Sequence, residues 1–581
     1  MTNPHAAATS GRELSHFGER TLTLRGANPH TSGTITPGLE GAPSEVDVLV
    51  MGLGVTGAGV ALDAVTRGLS VLAVDAHDLA FGTSRFSSKL VHGGLRYLAS
   101  GQIGIAHESA VERGILMEVT APHLTRPLPT LIPLAPEVDR PLGWLARAGL
   151  AGGDLLRRAA RTSADTLPRP RRLTAAETRR LAPPLRAEGL RGGLLGWDGQ
   201  LEDDARLVTT IARTAADRGA HIRTHTRVLS VSPKCDGSPP EMGGFAPRSV
   251  RVRPPKCEGT ANEMAHHFVH LRDELTGAET TVHARTVINA AGVWAGDLVD
   301  DVRLRPSRGT HLVLRAEALP RLSVAVFAPI PGETNRFVLV LPQPDGQFYV
   351  GLTDEAVDGP VPDVAEPTEV EIGFLLDVVA ASFARPLTRG DVVGAFAGLR
   401  PLLDTGDDAT ADLSRKHAVL TSPSGVITIV GGKLTTYRRM AQDAVDAALA
   451  HAQITAGPCV TASLPLAGAA PRAELADRAA RAEHPGRARL LRRYGDDADA
   501  VLAAAVEASG WAETDLLMPI LPDNGGVATI WAELFFGITH EGAADVADLL
   551  DRRTRIGLVP ADRALAVPAA EQALAAVAAR R

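Results

Sequence analysis

The first strong hydrophobic signal in the chain is Val46-Asp47-Val48-Leu49-Val50-Met51, a short β-branched run followed at once by glycine. Such a run predicts a strand of a parallel sheet, covered on both faces, in which apolar residues need not alternate with polar ones. The glycine-rich stretch Gly52–Gly59 follows. A helix-like segment then covers Val60 to Arg67, and a second apolar run from Leu69 to Val74 ends at Asp75. Strand, glycine turn, helix and strand in this order predict a βαβ unit. Another apolar strand, Thr286-Val287-Ile288-Asn289, runs into Ala290-Ala291-Gly292. Past residue 455 the pattern changes. Ala, Leu and Arg recur at helical spacing over Ala473–Ala482, Ala488–Tyr494, Asp497–Ala508 and Val546–Arg553, which predicts a mostly helical C-terminal domain over 456–581. Two stretches lack periodicity. Residues 1–44, rich in Gly, Pro, Thr and Ser, read as a flexible tail. Residues 232–262 read as an irregular insertion in a hairpin between the strand near Val228 and the one near His267–Leu271.

A chain of 581 residues exceeds one hydrophobic core, so two or three domains are expected, with 45–455 preceding the helical one. The formal net charge of −7 leaves no basic excess to neutralise phosphates, and no nucleic-acid partner is expected. The three cysteines, Cys235, Cys257 and Cys459, are far apart. They suggest neither a disulfide framework nor a metal site, and they fit a reducing compartment. No apolar run reaches the roughly 18 residues of a membrane-spanning helix. The N-terminus carries no apolar core after a basic start, so no secretory signal is expected. Any membrane contact is therefore expected to be peripheral.

Gly52-Leu53-Gly54-Val55-Thr56-Gly57 is a GxGxxG segment in the right context. In such a loop Gly52 makes the tight turn, Gly54 admits a pyrophosphate to the backbone, and Gly57 lets helix and strand approach. The helix N-terminus then offers N–H groups to phosphate oxygens. Asp75 stands where an acid accepts hydrogen bonds from a ribose 2′-OH. The glycine pattern alone does not separate FAD from NAD. The apolar strand ending in Ala290-Ala291-Gly292 resembles the segment that closes the dinucleotide pocket in two-dinucleotide-fold flavoproteins, and it points to FAD, with Ala290 and Gly292 at the cofactor.

A more particular stretch is Thr83-Ser84-Arg85-Phe86-Ser87-Ser88-Lys89-Leu90-Val91-His92-Gly93-Gly94-Leu95-Arg96-Tyr97-Leu98. It resembles a signature of the FAD-dependent glycerol-3-phosphate dehydrogenases. Further segments agree in order: Ala121–Leu124, Asp203–Val208, Gly351–Asp354, Gly398–Leu402, Gly431–Arg438, Arg492–Gly495, His540-Glu541 and Asp551–Arg555. The resemblance covers residues 45–581 apart from the insertion. It implies an α/β fold of the glutathione-reductase and D-amino-acid-oxidase type, with an interleaved α+β substrate domain and a helical C-terminal domain. It implies oxidation of sn-glycerol 3-phosphate to dihydroxyacetone phosphate by hydride transfer to FAD, with electrons passed to a quinone-type acceptor. A homodimer in the cytoplasm, peripheral on the inner face of the cell membrane, is implied in the same way. A glycerol-3-phosphate oxidase using O2, or another flavin oxidoreductase of this fold, is the alternative.

Residue roles follow from the motifs. A phosphate of charge near −2 calls for clustered cations, and Arg96, Arg400 and Lys433 each sit beside small residues that allow close approach. Tyr97 is placed to donate to the same phosphate. His92 is the candidate base, because neutral imidazole titrates near working pH, and His311 competes with it. Arg400 is also placed to stabilise the developing alkoxide. By carry-over from the motif, Ser84, Ser87, Ser88 and Lys89 contact the FAD pyrophosphate or ribityl chain. Gly432, Leu434 and Thr435 face the flavin N1/O2 side, and the backbone of Val228 faces the adenine. A basic cluster, Arg169, Arg171 and Arg172 with Arg179 and Arg180, is a candidate membrane patch.

Overall fold

The strand Glu45–Met51 forms where the apolar run predicts it, and Val46, Val48, Leu49, Val50 and Met51 are at most 2% exposed. It lies inside the first of two sheets in the computed structural model, which describes residues 33–94, 101–135, 140–233, 251–252, 267–299, 301–333, 336–404, 416–522 and 527–580. The strands of this sheet run in the order 36–37, 221–224, 71–74, 45–51, 279–289, 267–273, 226–233 and 251–252, with 427–430 joined to 279–289 and 418–421 to 427–430. From 36–37 across to 279–289 and 427–430 the neighbours are parallel, whereas 267–273 is antiparallel to both of its partners. The helix Val55–Thr66 covers one face and packs on the helix Tyr437–His451. Gly59 is the contact point, since a Cβ there would lie 2.9 Å from the Tyr437 ring.

After Asp75 the chain crosses into a second sheet ordered 355–356, 307–315, 347–351, 337–342, 325–329, 125–133, 193–201 and 90–91. The strand 392–400 pairs with 307–315, and 171–173 pairs with 193–201. The chain returns to the first sheet at 221–224, leaves again at 307–315 and comes back at 418–430, so the two domains are interleaved. The second sheet buries its own core, including Leu312, Leu314, Val338, Val350 and Phe383.

The C-terminal helices Arg472–Ala480, Pro485–Tyr494, Ala498–Ser509, Trp531–Thr539 and Pro560–Ala578 close over a separate core around Leu490, Val501, Leu534, Phe535 and Leu549. The segment Val546–Arg553 contains a π-helical turn over Asp548–Arg553. This turn fastens the domain to the first sheet. Arg553 makes a bidentate pair with Asp78 at 2.7 Å for both bonds, and Arg206 pairs with Glu541, all four side chains being fully buried. No helix among the described residues is long and apolar enough to cross a membrane.

The stretch read as a tail up to residue 44 is packed from residue 33. Thr36–Pro37 pair with His221–Thr224, Leu39 N donates to Asp273 Oδ2 at 3.1 Å, and Ile35 is 1% exposed. A single buried isoleucine and a two-residue strand carry no periodicity, which is why this segment reads as irregular. Residues 1–32 lie outside the described residues, as do Cys235, Cys257 and most of the 232–262 insertion. The strands that flank the insertion, Thr226–Pro233 and His267–Asp273, do pair antiparallel.

Candidate active site

The glycine loop is fixed by sterics at Gly52 and Gly57. Gly52 has φ +95°, and a Cβ there would lie 2.8 Å from Ala290 O and 2.9 Å from Ala291 Cα. The Ala-Ala-Gly segment is thus the wall against which the loop turns. A Cβ at Gly57 would overlap Gly52 O. Gly54 is the N-cap of Val55–Thr66 and has no side chain of its own to offer, so the N–H groups past Val55 are left to a pyrophosphate. Ser84 Oγ accepts from Val55 N at 2.9 Å, which ties the signature loop to this terminus. Asp75 ends the strand Val71–Val74. Its carboxylate accepts from Leu53 N at 2.7 Å and His77 N at 2.9 Å, and burial raises its pKa.

Past Ser84 the signature loop divides. Asp204 Oδ2 accepts from Ser87 N at 3.0 Å, from Ser87 Oγ at 2.7 Å and from Lys89 Nζ at 2.8 Å. Lys89 also donates to Arg85 O at 3.0 Å and Ser87 O at 3.1 Å. All three donors of its ammonium are therefore committed inside the protein. Burial, with the nearby Arg555, brings its pKa down to about 8. Ser87 and Lys89, expected at the cofactor, have side chains that clamp the loop to the helix Asp204–Asp217. Ser88 takes the other direction, its Oγ lying 2.8 Å from His311 Nε2.

His311 and Arg400 share the second sheet. His311 is 1% exposed, its ring stacks on Phe396 at 4.9 Å, and Gly351 makes room for it, since a Cβ there would overlap the imidazole. Burial, then Lys89 and Arg400, push its pKa down to about 3. Arg400 ends the strand Val392–Arg400 directly opposite Ser307. Its Nη1 donates to Asp354 Oδ1 at 3.0 Å and Ser307 Oγ at 3.1 Å, and its Nη2 donates to Thr353 O at 3.1 Å. A Cβ at Gly309 would overlap this guanidinium. Thr83 Oγ1 donates to Leu399 O at 2.5 Å, which brings the signature loop beside Arg400.

Gly431 and Gly432 have φ +77° and +70°, and a Cβ at Gly432 would overlap the Met440 sulfur. The turn Leu434–Thr436 then leads into Tyr437–His451. Lys433 Nζ donates to Ser109 Oγ at 2.6 Å, on the helix Ile103–Ile115. His92 is half-buried and precedes Gly93, whose N–H donates to Asp198 Oδ1 at 3.0 Å, and Asp198 pairs with Arg113 at 2.6 Å. Val228 lies in Thr226–Pro233 opposite Leu271, and Gly292 has φ +60°. Arg96 and Tyr97 lie outside the described residues.

These residues fit a dinucleotide flavin: a helix N-terminus whose cap residue is glycine, a cradle that only glycine can line, and a buried Thr435 hydroxyl with no hydrogen-bond partner among the described residues. Reasoning from sequence missed Ser307 and Ser109, and it quoted Asp204 and Asp354 within motifs without a role. The tandem acid Asp203-Asp204 at a helix start was a readable signal. Ser307 and Ser109 carried none.

Comparisons with known proteins agree with this geometry. A family model described as FAD dependent oxidoreductase matches residues 47–438, and one described as the C-terminal domain of alpha-glycerophosphate oxidase matches 459–580. The chain is 48% identical over 542 residues to glycerol-3-phosphate dehydrogenase 1 of Mycobacterium tuberculosis, covering 91% of this chain and 95% of that protein. It is similar to the X-ray structure of glycerol-3-phosphate dehydrogenase from Bacillus halodurans complexed with FAD, at TM-score 0.65 and 28% identity over 92% of this chain and 90% of the other. At the level of fold it resembles L-alpha-glycerophosphate oxidase from Mycoplasma pneumoniae with FAD bound, at TM-score 0.51 and 21% identity over 73% and 99% of the two chains. This chain takes FAD as its cofactor and belongs to the family of FAD-dependent glycerol-3-phosphate dehydrogenases.

Proposed function

We propose that the protein oxidises sn-glycerol 3-phosphate to dihydroxyacetone phosphate and passes the electrons to a quinone-type acceptor. The observation that carries the reading is Arg400, oriented by Asp354, Ser307 and the Thr353 carbonyl at the edge of the signature loop. A guanidinium held by three partners is pre-organised for a planar, multidentate contact with a phosphate or a developing alkoxide. Lys433, anchored on Ser109, supplies a second cation, and the family resemblance adds Arg96 and Tyr97 to the phosphate site.

When bound, FAD supplies the two-electron acceptor for the C2 hydrogen. The protein positions C2 and handles the hydroxyl proton. His92 takes that proton. It is half-buried, whereas His311 is depressed to about 3 by burial and two flanking cations, a poor match for a base working near neutrality. His311 instead fixes Ser88 and the floor of the loop.

Contact with a membrane is peripheral in this reading. Ile103 and Leu155 are 62% and 68% exposed, on two helices packed together through Ala106, Ala110 and Leu156. Arg169, Arg171, Arg172, Arg179 and Arg180 are exposed too, although Arg171 is paired with Glu177 at 3.0 Å. The homodimer is proposed on the family resemblance, and sedimentation reads it directly.

The test is anaerobic. The FAD-loaded protein is mixed with sn-glycerol 3-phosphate and the flavin absorbance followed, with dihydroxyacetone phosphate assayed as product. Bleaching in the wild type, lost in Arg400→Ala and Lys433→Ala with FAD still bound, supports the substrate. A folded, FAD-loaded enzyme that does not bleach rules the substrate out. Quinone reduction that outpaces O2 consumption supports the acceptor, and the reverse order assigns an oxidase.

A further inference from the structure

A cavity of about 210 Å³ lies where the second sheet, the start of the helix Asp204–Asp217 and the C-terminal domain meet. Its lining includes Lys89, Arg489, Arg492, Arg493 and Arg555, together with the acids Glu202, Asp203, Asp345 and Asp562. Glu533 is shared by Arg489 at 2.5 Å and Arg493 at 2.8 Å. Asp203 and Asp204 serve Arg493 at 3.2 Å and Lys89 at 2.8 Å, and they leave Arg555 only at 3.8 and 3.5 Å, beyond hydrogen-bond reach. The Arg555 side chain is 8% exposed, and its Nε, Nη1 and Nη2 have no hydrogen-bond partner among the described residues.

An arginine buried without hydrogen bonds is costly, because its donors have lost water and keep only the longer-range attraction of Asp203 and Asp204. Its backbone is costly as well, with φ +66° for a residue that has a Cβ. Burial raises the pKa of Glu202 and Asp345, which also line the cavity. The space exceeds what one water needs.

We infer that this cavity is an anion site for a phosphate group, with Arg555 as its fork and Arg492 at its mouth. Three guanidinium nitrogens call for several acceptor oxygens on one centre, and a tetrahedral oxyanion with charge near −2 provides them. The site is distinct from Arg400 and Lys433, and it does not depend on the reading of the reaction. Its walls come from three parts of the fold, so an occupant stabilises the folded assembly by mass action. Lys89 forms its inner wall and belongs to the loop that carries Ser88 and His92.

Calorimetric titration of inorganic phosphate into the FAD-loaded Lys433→Ala protein tests this, with binding at the substrate site weakened. Saturable binding in the millimolar range is expected. Arg555→Met weakens it at least about tenfold, the value of one charge-assisted hydrogen bond. Arg492, exposed on the rim, keeps the test independent of folding, and Arg492→Met weakens binding severalfold without lowering the melting temperature. A parallel titration uses glycerol 2-phosphate. Tighter binding than phosphate identifies a phosphomonoester as the occupant, and weaker binding identifies free phosphate. Absence of saturable binding of either ligand up to about 10 mM overturns the proposal. So does binding that neither Arg555→Met nor Arg492→Met alters.

Discussion

Lys89 and Asp204 form an ion pair of 2.8 Å in which the lysine side chain is 3% exposed and the aspartate fully buried. Asp204 also holds Ser87 through two hydrogen bonds, so one carboxylate anchors the loop that runs on to Ser88 and His92. Asp204→Asn keeps the shape and removes the charge. The expected cost is about 3–5 kcal/mol of unfolding free energy, because a buried ammonium is left without its counter-charge. Adding Lys89→Met recovers part of that loss, since the orphaned charge is then gone. Denaturant melts of the two single variants and the double variant measure it. Strict additivity of the two losses would falsify a direct pairing.

Asp354 holds Arg400, and in the proposed function it acts on substrate through that guanidinium. Asp354→Asn leaves FAD content unchanged and lowers kcat/KM for sn-glycerol 3-phosphate by about 10–100-fold, because a small misplacement of a positioning group has that effect. Arg400→Lys keeps the charge and loses the fork, and is expected to fall at least as far. Steady-state kinetics with an artificial electron acceptor, set beside the flavin-to-protein ratio, separate the positioning role from a structural one. A normal kcat/KM in Asp354→Asn, with Arg400→Ala inactive, removes Asp354 from the argument.

Gly52 and Gly68 both have positive φ, +95° and +89°, yet they differ in surroundings. A Cβ at Gly52 meets Ala290 and Ala291, whereas nothing lies within 4 Å of one at Gly68. Gly68→Ala therefore carries backbone strain alone, about 1 kcal/mol. Gly52→Ala must displace the wall of the glycine loop, and the purified protein is expected to be colourless or largely depleted of flavin. Absorbance ratios of the two variants after purification check it.

The glycine loop was legible in the sequence because Gly52 and Gly57 answer local steric demands, and the strand Glu45–Met51 because both of its faces are buried. The anchors of Arg400 were not. Ser307 reaches it by cross-strand pairing and Asp354 from a separate turn, and neither position has a spacing rule. In the loop Ser87–Lys89 the side chains part for a local reason. Lys89 has a left-handed backbone, φ +57°, and residues adjacent in sequence face different elements there. Ser88 meets His311 while Ser87 and Lys89 meet Asp204. The buried Ile35, in a stretch read as a tail, was hidden because one residue makes no pattern.

His123, in the turn Pro122–Leu124, is 8% exposed, and neither ring nitrogen has a hydrogen-bond partner among the described residues. Burial, then Arg213 and Arg206, push its pKa down to about 3 from the ordinary 6.5. The folded state thus keeps this imidazole neutral where the unfolded chain protonates it. Its contribution to stability is complete above pH 6.5 and is lost progressively as pH falls toward 3, at about 1.4 kcal/mol per pH unit within that window. His123→Leu fills similar space and cannot protonate. The variant is expected to lose less stability than the wild type between pH 6.5 and 4.5, where most carboxylates are still ionised and common to both proteins. Urea midpoints at several pH values read the difference in slope. Parallel slopes over that range would show that His123 is protonated in the folded protein and that its burial is relieved by local opening.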